Sequence, residues 1–122
     1  YSTASVIDGG SGRIGGLVGF MHNGTILNSY SIGSVVSSHS NRGGLLGYKS
    51  GSNSTIVDSF YDNETSGQSD TGKGKSKTTS QMKTIATFTD TSSADLTGSW
   101  DFYSTWEIDS SGTINDGYPY LK

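Results

Sequence analysis

The chain has no cysteine, a single proline and little charge, with Asp, Glu, Lys and Arg making up 16% of its 122 residues. Each shortage narrows the possibilities. The absence of cysteine neither demands nor excludes export. One proline against 18 glycines excludes both collagen and a proline-rich linker. A net charge of −3 and an isoelectric point near 5.1 give no electrostatic footprint for DNA or RNA, so no nucleic-acid partner is expected. The one basic cluster, Lys73, Lys75 and Lys77, is spaced by Gly and Ser and reads as a solvated loop. No apolar run is long enough to cross a bilayer, so no membrane insertion is expected. Hydrophobic residues amount to 30%, a level that in an ordinary chain raises the question of disorder.

Internal repetition answers that question. Gly15-Gly16-Leu17-Val18-Gly19 returns as Gly43-Gly44-Leu45-Leu46-Gly47, and Thr25-Ile26-Leu27-Asn28-Ser29-Tyr30 returns as Thr55-Ile56-Val57-Asp58-Ser59-Phe60. The two offsets are 28 and 30, so the length change lies between, at Tyr48 to Ser54. Tyr1 to Val6 also matches Tyr30 to Val35, which places Tyr1, Tyr30 and Phe60 at one repeat position. A period of this length means stacked units, none of which buries its apolar face alone. Neither motif carries helical spacing, and Gly, Ser, Thr, Val and Ile at these densities favour short strands bounded by turns. The expected fold is therefore all-β: a parallel β-helix, or β-solenoid, of two to three coils. Equivalent residues would sit one strand spacing apart, about 4.8 Å, with Leu17 under Leu45, Ile26 under Ile56 and the three aromatics in a ladder.

These motifs resemble the GLUG repeat of bacterial surface proteins, found in large adhesins, filamentous-haemagglutinin-like exoproteins and some immunoglobulin A peptidases. The resemblance rests on Gly-Gly-Leu-Val-Gly, a linker containing Asn-Gly, and Thr-Ile-x-Asn-Ser-Tyr-Ser-x-Gly-x-Val. Tyr61-Asp62-x-Glu64-Thr65-Ser66-Gly67-Gln68, the Thr-Thr-Ser-Gln-Met-Lys segment, Trp100-Asp101-Phe102 and Gly117-Tyr118-Pro119-Tyr120-Leu121 are similar to the segment that often follows such repeats. The resemblance implies a repeat scaffold inside a larger exported protein. It brings no catalytic residues.

Residues 1–61 read as the solenoid repeats and 62–122 as a polar loop, a short helix and an aromatic-rich C-terminal cap. Alternation would bury Asn28 and Asp58 unless the strand bends there. Asn63 to Lys77 reads as a long polar loop. Thr78 to Ala86 is the helix candidate, with Thr78 and Gln81 as a capping box. Asp109 to Thr113 reads as a hairpin turn into Ile114. Tyr1 aligns with the middle of a coil, so the chain is expected to be a fragment whose first coil presents an open edge to a neighbouring coil of the parent chain or to another molecule.

Few residues suggest chemistry. His22 and His39 occupy different loop positions, and no Gly-x-Ser-x-Gly elbow supports a serine triad. Asp58, Asp62, Glu64 and Asp70 form one group of carboxylates and Glu107, Asp109 and Asp116 another. Either could serve glycosidic hydrolysis across a cleft or hold calcium, yet neither matches an EF-hand loop, and solvated turns explain them more simply. No catalytic residue, metal or cofactor is expected. Among the aromatics Trp100, Tyr103, Trp106, Tyr118 and Tyr120, the tryptophans read as core, and Tyr103 and Tyr118 are the candidate ligand contacts. The expected role is a non-catalytic structural or adhesive module, secreted or at the cell surface, with a host or matrix protein or a glycan as partner. The alternative is a carbohydrate-binding or carbohydrate-active β-helix fragment.

Overall fold

Runs of Val, Ile, Leu and Thr, interrupted every few residues by Gly, Asn or Ser, give strands too short to stand alone, and each pairs with its counterpart one repeat further on. The computed structural model describes residues 1–10 and 12–122. Ser11, part of the predicted loop Asp8 to Arg13, lies outside the described residues. The first repeat runs through β1 (Val6–Asp8), β2 (Ile14–Gly15), β3 (Val18–His22), β4 (Thr25–Leu27) and β5 (Tyr30–Ser31). The second supplies β6 (Val35–Ser37), β7 (Arg42–Gly43), β8 (Leu46–Ser50), β9 (Thr55–Val57) and β10 (Phe60–Asp62). β1 to β5 pair in order with β6 to β10, all in parallel. The fold is mainly β, assembled from small parallel pairs.

Register follows the sequence repeat. Val18 lies opposite Leu46, Ile26 opposite Ile56 and Tyr30 opposite Phe60. The Leu17 amide donates to the Leu45 carbonyl at 3.0 Å. Inside the paired strands, Met21, Ile26, Leu45, Leu46 and Tyr61 form a buried cluster, and each large apolar side chain stabilises the fold by roughly 1.5–3 kcal/mol. The doubled glycine of the motif reflects close approach of other groups of the chain to its backbone. A Cβ on Gly44 would lie 2.0 Å from the Tyr61 ring, and one on Gly16 would lie 2.3 Å from the Gly44 carbonyl oxygen.

The bend expected at Asn28 and Asp58 is present, because both residues adopt φ 45°, a left-handed conformation that Asn and Asp tolerate best among side-chain-bearing residues. It separates β4 from β5 and β9 from β10. The serines that follow repeat one local bond: Ser29 donates to the Leu27 carbonyl at 2.8 Å and Ser59 to that of Val57 at 2.7 Å.

Beyond Asp62 the structure departs from the sequence reading in three places. First, the stretch 63–77 is not one long loop. It forms a helical turn, α1 (Asn63–Ser66), and a strand, β11 (Lys75–Lys77), that pairs in parallel with β10. Main-chain pairing needs no recurring side chains, so no repeat signature announced it. The lysines are accordingly engaged: Lys75 and Lys77 reach Asp95 at 3.3 and 2.6 Å, and Lys73 donates to the Arg42 and Gly47 carbonyls at 2.5 and 2.8 Å. Second, the single predicted helix is two turns, α2 (Thr79–Met82) and α3 (Ala86–Thr89). Its capping box is intact, with the Gln81 amide donating to Thr78 Oγ1 at 3.2 Å and the Thr78 amide to Gln81 Oε1 at 3.0 Å. Third, the antiparallel pair joins β12 (Trp106–Glu107) to β13 (Tyr120–Leu121), and Ile114 leads instead into a 3-10 turn at Asn115–Gly117.

This second half packs on the aromatic corner of the repeats. Tyr30, Phe60, Met82, Phe88, Leu96, Trp100, Trp106 and Tyr118 form one buried cluster. Trp100 lies 4.7 Å from Trp106 and 4.8 Å from Phe88, centroid to centroid, and its indole N–H donates to the Asp58 carbonyl at 2.9 Å. The aromatic column starts with Tyr1 stacked on Tyr30 at 5.0 Å with an interplanar angle of 1°. Phe60 lies opposite Tyr30 in the backbone register, and its ring meets Phe88 edge-on at 5.4 Å and 88° and Trp100 at 6.0 Å.

Candidate ligand-contact surface

Most groups that could carry chemistry are bound up in holding loops. Asp58 accepts from the Thr97 amide and hydroxyl at 2.6 and 2.9 Å and from the Gly98 amide at 3.0 Å. Asp62, fully buried, caps α1 through the Glu64 and Thr65 amides and accepts from the Thr79 and Tyr118 hydroxyls, both at 2.7 Å. Glu64 accepts from the Thr79 amide at 2.7 Å. Asp70 takes the Gly44 amide at 2.9 Å through one oxygen, while the other is buried, without a hydrogen bond, 3.8 Å from Lys73 Nζ. Asp109 gathers the hydroxyls and amides of Ser111 and Thr113 and the Ile114 amide. The Thr113 hydroxyl above all holds the Asp109 carboxyl well below the usual carboxylate range. A carboxylate saturated by its own loop is a structural anchor. Among the described residues no cluster of three or more His, Asp or Glu is placed to hold a metal ion.

The histidines are not brought together. His22 Nδ1 lies 2.9 Å from Ser50 Oγ and its Nε2 lies 3.2 Å from the Asn23 side-chain amide, whereas His39 Nδ1 accepts from the Asn41 amide at 3.1 Å. A cleft of 400 Å³ opens beside β9 and β11, lined in part by Lys49, Ile56, Asp58, Asp70 and Lys75.

The two predicted contact residues part company. Tyr103 is 95% exposed, on a turn that the Asp101 carboxylate fixes through the Tyr103 and Ser104 amides at 2.9 and 2.8 Å. Bonding to Ser104 pulls the Asp101 carboxyl down to about 2. Tyr118 instead is 3% exposed. Its ring belongs to the cap core, with Lys83 Nζ 4.7 Å from the centroid, and burial together with the Asp62 carboxylate pushes its phenol above the usual range. A segment poor in aliphatics uses its aromatics as core, so Tyr118 presents no free face to a ligand. Trp100 and Trp106 are core as read from sequence.

A second exposed aromatic surface lies on the repeats. Phe20 and Tyr48 are register partners on β3 and β8, 44% and 37% exposed, with rings 6.0 Å apart at 20°. The Arg13 guanidinium sits 4.2 Å from the Phe20 centroid and 4.9 Å from that of Tyr48. His22 extends the row, 6.4 Å from Phe20. Sequence reasoning passed over this strip because the two rings differ in type, although each follows its Gly-Gly-Leu-x-Gly motif directly.

Comparison with known proteins adds one relative. Over 112 residues the chain is 43% identical to a protein of Evansella cellulosilytica named "Putative Gly-rich membrane protein", a match spanning 89% of this chain and 12% of that protein. No family model matches the chain, and no solved structure matches it. Among the described residues no helix is long and apolar enough to cross a membrane.

Proposed function

We propose that this chain is a non-catalytic structural and adhesive module of a larger bacterial surface protein, built as a GLUG-type β-solenoid with a C-terminal cap. The observation that supports it most directly is the register, in which five successive strands of one repeat each lie on the equivalent strand of the next. Stacked units of this kind extend without limit and leave their outer faces free for contact, which suits a stalk or spacer. The carboxylates and histidines support it as well, since Asp58, Asp62, Asp109 and His39 are spent on backbone amides and loop hydroxyls. The relative is named a membrane protein and is far longer than this chain, which supports a cell-associated parent.

The test is surface labelling. Antibodies against the purified chain are expected to label intact cells of the bacterium that encodes it. Labelling that appears only after the cells are lysed would overturn the surface role. A carbohydrate-binding role is the second reading, favoured by Tyr103 and by the aromatic strip on β3 and β8.

A further inference from the structure

From the strip on β3 and β8 we infer that Arg13, Phe20 and Tyr48 form a binding site for a carboxylated polysaccharide, in which the guanidinium takes the carboxylate and the exposed rings take the apolar edge of the pyranose. This deepens the adhesive reading and rests on it for its biological setting, though the binding itself is a property of the purified chain.

Three observations carry the inference. The first is the state of Arg13. Among the described residues, five of the eight Lys and Arg side chains hold oxygen acceptors: Arg42, Lys73, Lys75, Lys77 and Lys122. Arg13 has no carboxylate or carbonyl partner among the described residues, and its guanidinium lies over two rings. An arginine stacked in this way keeps its N–H fork free for a planar anion and loses little conformational freedom on binding. The second is the support beneath it. A Cβ on Gly19 would lie 2.4 Å from the Arg13 carbonyl oxygen, so the backbone of Arg13 is packed directly on β3 beside Phe20. The third is the exposure of both rings, 44% and 37%, which together with the guanidinium makes one continuous surface that a ligand can reach. Aromatic faces and edges beside a bidentate cation match a sugar acid, whose C–H surface is apolar and whose carboxylate is planar. The net charge of −3 disfavours general adsorption of a polyanion, so retention has to come from a local site.

Affinity electrophoresis of the purified chain through gels containing polygalacturonate, dextran or dextran sulfate tests this. Polygalacturonate is expected to retard the chain and dextran to leave it unaffected, with dextran sulfate no more effective than polygalacturonate. Arg13→Gln is expected to weaken retardation at least about tenfold, as loss of a charge-assisted hydrogen-bonding group does. Phe20→Ala and Tyr48→Ala should each weaken it as well, and Tyr103→Ala should not. Equal retardation by dextran, stronger retardation by dextran sulfate, or an Arg13→Gln variant that binds like the parent would overturn the inference. Absent surface labelling with intact binding would refute the setting and leave the site standing. Labelled cells with a chain blind to polygalacturonate would do the reverse.

Discussion

The Tyr118 hydroxyl donates a 2.7 Å hydrogen bond to Asp62 Oδ2, joining the last turn of the chain to the end of β10. Both groups are buried, and the same carboxylate also organises α1 and the start of α2. A buried carboxyl group depends on its hydrogen-bond partners, so each lost donor is costly. Asp62→Ala strands four donors at once and is expected to cost about 2–4 kcal/mol, whereas Tyr118→Phe removes one and should cost about 1–2 kcal/mol. Urea denaturation of both variants measures the difference. Equal stabilities would show that the cap does not hang on this carboxylate.

The glycine pair makes a sharper contrast. Gly44→Ala drives a methyl to within 2.0 Å of the Tyr61 ring, and that ring is fully buried with its hydroxyl bonded to the Asp70 carbonyl at 2.6 Å. It has nowhere to move. Overpacking of this kind costs about 1–3 kcal/mol or more. At Gly9 an added Cβ meets nothing within 4 Å among the described residues, so Gly9→Ala should leave the melting temperature within a degree or so of the parent. Thermal melts that rank the two variants alike would contradict the close packing of the Tyr61 ring on the Gly44 backbone inside the second repeat.

Stability should fall off at both ends of the pH scale for different reasons. Lys77 holds the Asp95 carboxyl below its usual range, and Ser104 brings Asp101 to about 2. For such groups the unfolded chain, titrating near about 3.9, binds more protons at low pH, so their contribution is complete above about pH 4 and fades as pH falls toward 2. Tyr61 shows the opposite sign. Burial raises its phenol to about 12, and burial lifts Tyr30 and Tyr118 as well. Their contribution is complete below about pH 10, the unfolded value, and is lost as pH rises through the folded ones. Phenolate absorbance should therefore appear in two steps, the later one together with loss of tertiary structure by near-ultraviolet circular dichroism. A single step near pH 10 with structure retained would mean that these rings are not buried.

What could be read from sequence was whatever a side chain repeats. Ile26 and Ile56 announced their register by identity, and the corner at Asn28 and Asp58 by two polar groups that straight alternation would have buried. β11 carries no such mark, because its pairing with β10 uses main-chain groups and its side chains are lysines that look solvated until Asp95 is placed beside them. Tyr103, between Phe102 and Ser104, could be read as the aromatic least suited to burial, but the burial of Tyr118 could not be read, since the carboxylate that recruits it lies 56 residues away. The Phe20 and Tyr48 strip sat one residue past the motif that was recognised.

The final prediction concerns the first repeat. Among the described residues β2, β3 and β4 each pair on one side only, so their other edge offers unpaired backbone groups. Tyr1 and Tyr30 share a repeat position, and a copy of residues 1–29 placed ahead of Tyr1 recreates the Ser29-Tyr30 junction at the seam. In a linear array with nearest-neighbour coupling, that added unit contributes a full interface while the loop it introduces costs little. The lengthened chain should unfold in one transition, at higher urea and with a larger m-value than the parent, in proportion to the extra surface buried. If the added repeat unfolds separately at low urea, or is trimmed away by protease while residues 1–122 persist, the edge does not accept a further coil and the stacked-array reading fails with it.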